Sequence, residues 1–404
     1  MKTSLRKTDR LHSLDSLRAI MMMLGVVLHS LITYDTIPHH GEWPLKDLTY
    51  TSEFMTWLFW LIHIFRMPLF FIVTGFFGAL LFYERSPKKM ILNRINRVLF
   101  PFILFLFLLW PLMLITYTYT NLVFTGIKNA LILSLTVFDK FSDLLPPETM
   151  HLWFLYYLLL FVLTSFGLGI LMKKLPRLTA EINSVFYRIV DKPYLRLFIF
   201  STITFGLLLV MNQSWVSTST NFRPRISTFF FYFLFYLFGW FLFKSKHSLD
   251  RFMKYDFLST VLGILLLTVS FLYRDMLSVQ IIMALNALTV WSLSFGVIGL
   301  FVRYGSTHSQ SMRYLSDASY WVYLIHLPFT QLIPGMIADW NFPPLLKALV
   351  VLTATSMICF ISYHYLVRNT FIGKFLNGRK YPIKRYRISQ FKEVFARTRV
   401  NGNY

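Results

Sequence analysis

Residues 55–83 read MTWLFWLIHIFRMPLFFIVTGFFGALLFY, an apolar run whose only basic side chains are His63 and Arg66. A helix needs about 20 mostly apolar residues to cross a bilayer, so this run predicts a transmembrane helix. The whole chain has a matching composition, because 56% of its 404 residues are hydrophobic and only 14% are charged. This balance excludes an ordinary soluble domain and indicates a membrane protein.

Similar apolar runs lie on both sides of residues 55–83. Together they predict an all-α fold, a polytopic membrane bundle of about ten transmembrane helices. The predicted spans are residues 17–35, 55–83, 98–117, 150–171, 196–212, 226–243, 256–272, 279–302, 318–336 and 346–367.

An eleventh apolar segment, residues 120–138, has Lys128 near its middle. A lysine at the centre of a spanning helix costs roughly 3 kcal/mol, so we predict an interfacial or re-entrant helix there. The chain then divides into a cytoplasmic segment (1–16), a transmembrane domain (17–367) and a basic cytoplasmic tail (368–404) that is attracted to anionic lipid.

The basic residues lie mainly in the gaps between apolar runs. Of the 40 Lys and Arg residues, 32 fall on one side of the alternating spans, seven fall on the other, and Arg66 lies within a span. Positively charged connections stay in the cytoplasm, so both termini are predicted to be cytoplasmic. The same distribution argues against a nucleic-acid-binding surface despite the net charge of +22. The single cysteine, Cys359, excludes an intramolecular disulfide.

Polar side chains within apolar runs are the candidate functional residues, because burying them in lipid is costly. His29 follows Arg18 by eleven residues, which places it about 16 Å deeper along a helix. It could bond to a neighbouring helix or serve as a general base. His63 and Arg66 share one helix face, and Arg66 could pair with another helix or bind an anionic substrate. Pro68, with the glycines that follow it, predicts a break or close helix packing.

Three further segments carry candidate residues. Arg94 and Arg97, supported by Lys88 and Lys89, suit the phosphates of a nucleotide-like ligand, although such a cluster also orients a loop. The remaining candidates are His151 and Trp153 in HLWFL, and His326 in YLIHLPF. Rings near the outer end of a span either form an interfacial belt or stack on sugars. No metal site is predicted, because the histidines lack carboxylate or thiolate neighbours.

These segments, in this order, resemble the membrane-bound acyltransferase 3 family. The family's hallmark is an Arg, ten residues and a His on the first span, which matches Arg18 and His29 in LDSLRAIMMMLGVVLH. Its second motif, two Arg separated by two residues, matches Arg94 and Arg97. The resemblance continues through FRMPLFFIVTGFF, HLWFL and YLIHLPF, and therefore covers almost the whole chain.

The resemblance implies an enzyme of the bacterial inner membrane with no permanently bound cofactor. Such an enzyme takes an acyl group from cytoplasmic acyl-CoA and delivers it to a glycan on the periplasmic side. The likeness is greatest to the branch that succinylates osmoregulated periplasmic glucans; O-acetylation of another surface polysaccharide stays an alternative. Many sugar O-acetyltransferases of the family have a Glu soon after HLW, whereas apolar and aromatic residues follow here, so the acyl group is left open.

The resemblance also implies roles for the candidate residues. The expected catalytic residues are His29, as the general base, and Arg18, near the entrance for the pantetheine arm. Coenzyme A phosphates are expected at Arg94, Arg97, Lys88 and Lys89. The expected substrate-binding residues are His63, Arg66, His151, Trp153 and His326. A secondary transporter is the competing class, but intramembrane acids are scarce in this chain.

Overall fold

The computed structural model describes residues 12–39, 43–216, 218–307 and 309–378. Within these ranges the chain forms helices and no strand; an isolated bridge between His39 and Trp43 is the only β-type pairing. The predicted all-α fold is therefore confirmed. Most of the predicted segments 1–16 and 368–404 lies outside the described residues.

Fourteen α-helices make up the described part of the chain, joined by short 3₁₀ and π turns. They are α1 (His12–Leu31), α2 (Glu53–Leu80), α3 (Pro87–Arg94), α4 (Phe100–Phe124), α5 (Ala130–Leu135), α6 (Trp153–Lys174), α7 (Pro176–Asp191), α8 (Pro193–Met211), α9 (Ile226–Lys244), α10 (Asp256–Leu272), α11 (Val279–Tyr304), α12 (Gln310–Met336), α13 (Pro344–Ser362) and α14 (Phe371–Asn377).

Nine helical stretches among the described residues are long and apolar enough to cross a membrane, and they coincide with nine of the ten predicted spans. The remaining predicted span, residues 318–336, lies within α12. This helix has 27 residues, about 40 Å at 1.5 Å per residue, so its length is sufficient. It buries Ser319, Thr330 and Gln331 while packing against α1, α4 and α13. Its polar side chains therefore face other helices rather than lipid.

Residues 120–138 do not form a span. Helix α4 ends at Phe124, Gly126 has a positive φ of 74°, and α5 is only six residues long. Leu131 and Ile132 on α5 are 59% and 64% exposed. The prediction that this segment does not cross the membrane is confirmed, and its position at the interface stays a prediction.

Helix α2 is continuous through Pro68, so of the two predicted alternatives, a break or close helix packing, the structure shows close packing. A Cβ on Gly75 would collide with the backbone oxygen of Tyr236, and one on Gly239 would collide with the backbone oxygen of Ile72. Helices α2 and α9 therefore approach each other backbone to backbone, as small residues permit in membrane bundles.

Ion pairs form between helix connections that are predicted to lie on the same side of the membrane. Glu84 pairs with Lys246, and both belong to connections on the predicted cytoplasmic side. On the opposite side, Asp47 pairs with Lys347 at 3.1 Å, and both side chains are buried. The grouping agrees with a chain that alternates sides at each span. The cytoplasmic position of the two termini stays a prediction.

Candidate functional site

Helices α1, α2, α4, α6 and α12 line a cavity of about 340 Å³, which we call the histidine cavity. Its volume lies in the roughly 300–1,000 Å³ range of small-molecule sites. The last turn of α1 contributes one imidazole, α2 an imidazole and a guanidinium, the turn before α6 another imidazole, and α12 the fourth. All six residues predicted for this part of the site line the cavity: His29, His63, Arg66, His151, Trp153 and His326.

Three of the four imidazoles form a row across the cavity. The ring centroid of His326 lies 5.3 Å from that of His29 and 5.4 Å from that of His151. His63 lies apart from this row, stacked on Phe59 at 5.2 Å and facing Trp215 at 4.8 Å. The first three rings can therefore act on one small group.

Backbone carbonyls orient two of these imidazoles. Nδ1 of His326 lies 2.7 Å from the backbone oxygen of Tyr323, and Nε2 of His151 lies 3.0 Å from that of Leu324. A carbonyl oxygen only accepts, so each of these nitrogens carries a hydrogen. In the neutral imidazole the other nitrogen then has a lone pair. Nε2 of His326 and Nδ1 of His151 are buried with no hydrogen-bond partner in the described protein, so both can accept a hydrogen from a ligand.

A strained turn positions His151. Met150 has a φ of +52°, a left-handed conformation that is uncommon for a residue other than glycine. The turn is held from two sides. The hydroxyl of Tyr323 donates to the backbone oxygen of His151 at 2.9 Å, and Thr149 donates its backbone N–H to the backbone oxygen of Thr220 at 2.6 Å. Strain maintained in this way is typical of functional sites.

Arg66 is the only cation in the lining of the histidine cavity, among the described residues. Its Nε is buried without a hydrogen-bond partner in the described protein. The guanidinium lies over Gly25 of α1, where a Cβ would be 2.5 Å from Nη1. Glycine at position 25 thus makes room for Arg66 one turn before His29. A partly buried cation without a paired acid among the described residues favours an anionic ligand.

A second cavity, of about 230 Å³, lies along the same helices toward the predicted cytoplasmic side. We call it the arginine cavity, because Arg18, Arg94 and Arg97 line it. Arg18 donates from Nη2 to the hydroxyl of Ser316 at 3.3 Å. Nε and Nη2 of Arg94 are buried without a hydrogen-bond partner in the described protein. These N–H groups are donors for an anionic group.

Lys88 and Lys89 do not line the arginine cavity. Both are exposed in the first turn of α3, while the two arginines come from the end of α3 and the π turn after it. The structure thus brings together three of the five basic residues predicted for the inner part of the site.

Several residues that the sequence analysis missed also line the two cavities. In the histidine cavity these include Trp43, whose ring centroid is 5.4 Å from that of His29, and Glu148. Glu148 accepts a hydrogen bond from the Thr220 hydroxyl at 2.5 Å. Leu376 and Asn377 of α14 line the arginine cavity. Glu148 precedes HLWFL by only a few residues. An acid this close in sequence to the candidate His151 could have indicated that Glu148 belongs to the site.

In the described ranges, no group of three His, Cys, Asp or Glu side chains is arranged to hold a metal ion. The imidazoles of the histidine cavity are spaced as separate groups, and the carbonyl bonds of His151 and His326 each occupy one ring nitrogen.

The fold and the two cavities define a multi-pass membrane protein with arginine donors at one level and histidine acceptors at another. Comparison with known proteins gives the family. A family model described as an acyltransferase domain matches residues 11–364, so the chain belongs to the acyltransferase 3 family and is a membrane acyltransferase.

Curated relatives include proteins named glucans biosynthesis protein C from Salmonella heidelberg, Salmonella agona and Salmonella dublin. Each is 31% identical to this chain over 163 residues, which is 40% of this chain and 39% of the relative. The similarity thus spans about two fifths of the curated relatives. No solved structure matches the chain.

Proposed function

We propose that this acyltransferase moves a succinyl group from cytoplasmic acyl-CoA to a hydroxyl of a periplasmic glucan, and that it resides in a bacterial inner membrane. The observation that carries the proposal is the alignment of the two cavities along the same helices. Arg18, Arg94 and Arg97 lie at one level, and four histidines lie at the other. A donor with phosphates needs cationic groups such as the arginines, and an acceptor with hydroxyls needs hydrogen-bond acceptors such as the histidines.

The arginine cavity suits the donor. Coenzyme A has phosphates at one end and the thioester at the other, so anchoring the phosphates leaves the acyl end free to reach along the helices. Forked guanidinium groups bind phosphate through paired N–H donors, and Arg94 has two such donors without a protein partner. Arg18 lies on α1, the helix that also carries His29, and therefore fits a position beside the pantetheine arm.

His29 is the proposed general base. It accepts the proton of a glucan hydroxyl as the hydroxyl oxygen attacks the thioester carbonyl carbon. The new C–O bond forms, the C–S bond breaks, and the departing sulfur takes up a proton to give free coenzyme A and an ester. His63 lines the same cavity, and we assign its N–H group to the negative oxygen of the intermediate, which leaves Arg66 for the other end of the acyl group.

The acceptor fits the remaining imidazoles. Lone pairs on His326 and His151 accept hydrogens, as a polyhydroxylated sugar would supply, and Trp153 and Trp43 offer ring faces nearby. Support for a glucan in particular comes from the name of the curated relatives.

Arg66 favours a succinyl group over an acetyl group. It is a partly desolvated cation with no acid paired to it among the described residues, and a distal carboxylate would neutralise it. The acyl group of a dicarboxylic acid supplies this second charge, whereas acetyl does not.

The test is acyl transfer by the purified protein in vesicles, with succinyl-CoA or acetyl-CoA and a β-glucan acceptor. Release of free thiol and a succinyl mass added to the glucan, both lost in His29→Ala and kept in His247→Ala, would support the proposal. His247 is an exposed histidine outside both cavities. Addition of acetyl groups alone would agree with an acyltransferase but would reject succinyl-CoA as its donor. Solute uptake without thiol release would favour a transporter and contradict the proposal.

A further inference from the structure

Phe154 lies between the two cavities. Among the described residues it is the one side chain that appears in both linings. It belongs to the first turn of α6 and is 4% exposed. Its ring packs edge-on against Phe70 of α2, with centroids 4.5 Å apart and an interplanar angle of 81°.

The order of residues along α2 places this aromatic pair at the boundary. Arg66 lines the histidine cavity, and Phe70 and Thr74 line the arginine cavity. Arg66, Phe70 and Thr74 follow one another at steps of four residues, so each lies about one turn, or 6 Å along the helix axis, from the next. Helix α1 has the same order, because Met22 lines the arginine cavity and Leu28 lines the histidine cavity. The partition thus crosses the path that a thioester would follow from Arg94 toward His29.

We infer that Phe154, packed against Phe70, is the partition that sets which acyl groups pass from the arginine cavity to His29. The inference rests on the proposed function, since it concerns the same donor and the same base. With the ring in place the two cavities are separate. The ring must therefore turn aside when the acyl group enters, and the space it vacates limits the size of that group.

The partition has a second effect, which is to keep a thioester in the arginine cavity away from His29 and from the water in the histidine cavity. A base that activates a sugar hydroxyl also activates water, so an open path would let acyl-CoA be hydrolysed without an acceptor. The aromatic pair therefore serves two purposes, namely donor size selection and suppression of hydrolysis.

The catalytic test compares Phe154→Ala, Phe154→Leu and Phe166→Ala. Phe166 lies on the same helix but lines neither cavity, so it is the matched control. We expect Phe154→Ala to raise acceptor-independent thiol release about tenfold and to accept acyl chains two or more carbons longer than the native protein accepts. Phe154→Leu should fall between Phe154→Ala and the native protein. Unchanged chain-length preference and unchanged hydrolysis in a folded Phe154→Ala protein would overturn the inference.

A second test measures the partition without catalysis. The chain has one cysteine, Cys359, so Cys359→Ala gives a cysteine-free background. Met67, in the lining of the histidine cavity, is then changed to Cys. An anionic methanethiosulfonate reagent is applied from the membrane face on which Arg94 lies. We expect slow labelling that becomes at least tenfold faster with Phe154→Ala but not with Phe166→Ala. Equal labelling rates in all three proteins would overturn the inference.

The two tests separate failure of the partition from failure of the proposed function. If the labelling depends on Phe154 but no variant consumes acyl-CoA, the partition exists and the proposed donor is wrong. If acyl-CoA is consumed and labelling is insensitive to Phe154, the donor stands and the partition fails.

Discussion

The arginine cavity and the histidine cavity share α1, α2, α6 and α12 but differ in what they offer a ligand. The first presents permanent positive charge, with two N–H groups of Arg94 left unpaired in the described protein. The second presents four imidazoles, two of which, His151 and His326, have one hydrogen fixed by a backbone carbonyl, with Arg66 as its cation. The difference separates the proposed phosphate binding from the proposed proton transfer along one set of helices.

This separation has a physical reason. A general base works best as a neutral imidazole near its substrate, and clustered arginines at the same level would disfavour the imidazolium that forms when it takes a proton. Placing Arg18 eleven residues before His29, about 16 Å along α1, weakens that repulsion. Helix α1 thus carries both Arg18 and His29 but keeps the guanidinium charge of Arg18 at a distance from the imidazole.

The largest expected effect comes from the base. His29→Ala should lower acyl transfer by about 10²–10⁴-fold, because no other imidazole in the row can take its position on α1. Thiol release with acyl-CoA and glucan measures the effect, and the protein level in the membrane should be unchanged. Activity retained at the native rate would remove His29 as the base and transfer that role to another imidazole of the cavity.

Removing the donor anchors should produce the next largest effect and a different kinetic signature. Arg94→Ala should raise the KM for acyl-CoA by about 10- to 100-fold, because one hydrogen bond to a charged group contributes about 1.5–3 kcal/mol, and adding Arg97→Ala should raise the KM further. The effect on kcat should be small compared with that of His29→Ala. A lower kcat at unchanged KM would contradict the division between the two cavities.

A smaller effect should follow from moving Arg66 without removing it. Gly25→Ala places a methyl group against the guanidinium, so Arg66 must shift. We expect the preference for succinyl-CoA over acetyl-CoA to fall about tenfold, in line with about 1.4 kcal/mol for one weakened charge-assisted contact. Gly206→Ala on α8 is the control, since a Cβ there meets nothing within 4 Å. An unchanged preference between succinyl-CoA and acetyl-CoA would mean that Arg66 does not bind the succinyl carboxylate.

The sequence was sufficient for most of the fold, because the length and apolarity of each span are local properties. Residues 318–336 illustrate the limit. Their apolar run predicted a span, but its hydropathy is lowered by buried polar side chains that face other helices, such as Ser319, Thr330 and Gln331. Residues 120–138 show the reverse case, since their apolar composition suggested a span that Lys128 argued against.

The candidate site was predictable where residues repeat at helical spacing. His63 and Arg66, or Arg94 and Arg97, share a helix face in any helix, so their grouping followed from the sequence. Contacts between distant segments could not be obtained this way. Three such contacts depend on how the segments pack: the approach of Arg66 to Gly25, the ring of Trp43 beside His29, and the position of α14 in the lining of the arginine cavity. Lys88 and Lys89 were grouped with the arginines on proximity in sequence alone.

Lys88 and Lys89 are close in sequence to the cavity arginines but do not line the cavity, so they test whether position in the structure decides the contribution of a basic residue. Both are exposed on the first turn of α3, so their charges act on a donor through water and are screened over about 8 Å at physiological salt. Changing both to Ala should raise the KM for acyl-CoA by about twofold or less at 0.15 M salt, since exposed ionic contacts contribute about 0–1 kcal/mol. The effect should grow at low salt, whereas that of Arg94→Ala should persist at both. Measuring KM at the two salt concentrations decides the matter: a loss equal to that of the arginines would mean that the donor phosphates extend beyond the arginine cavity to the start of α3.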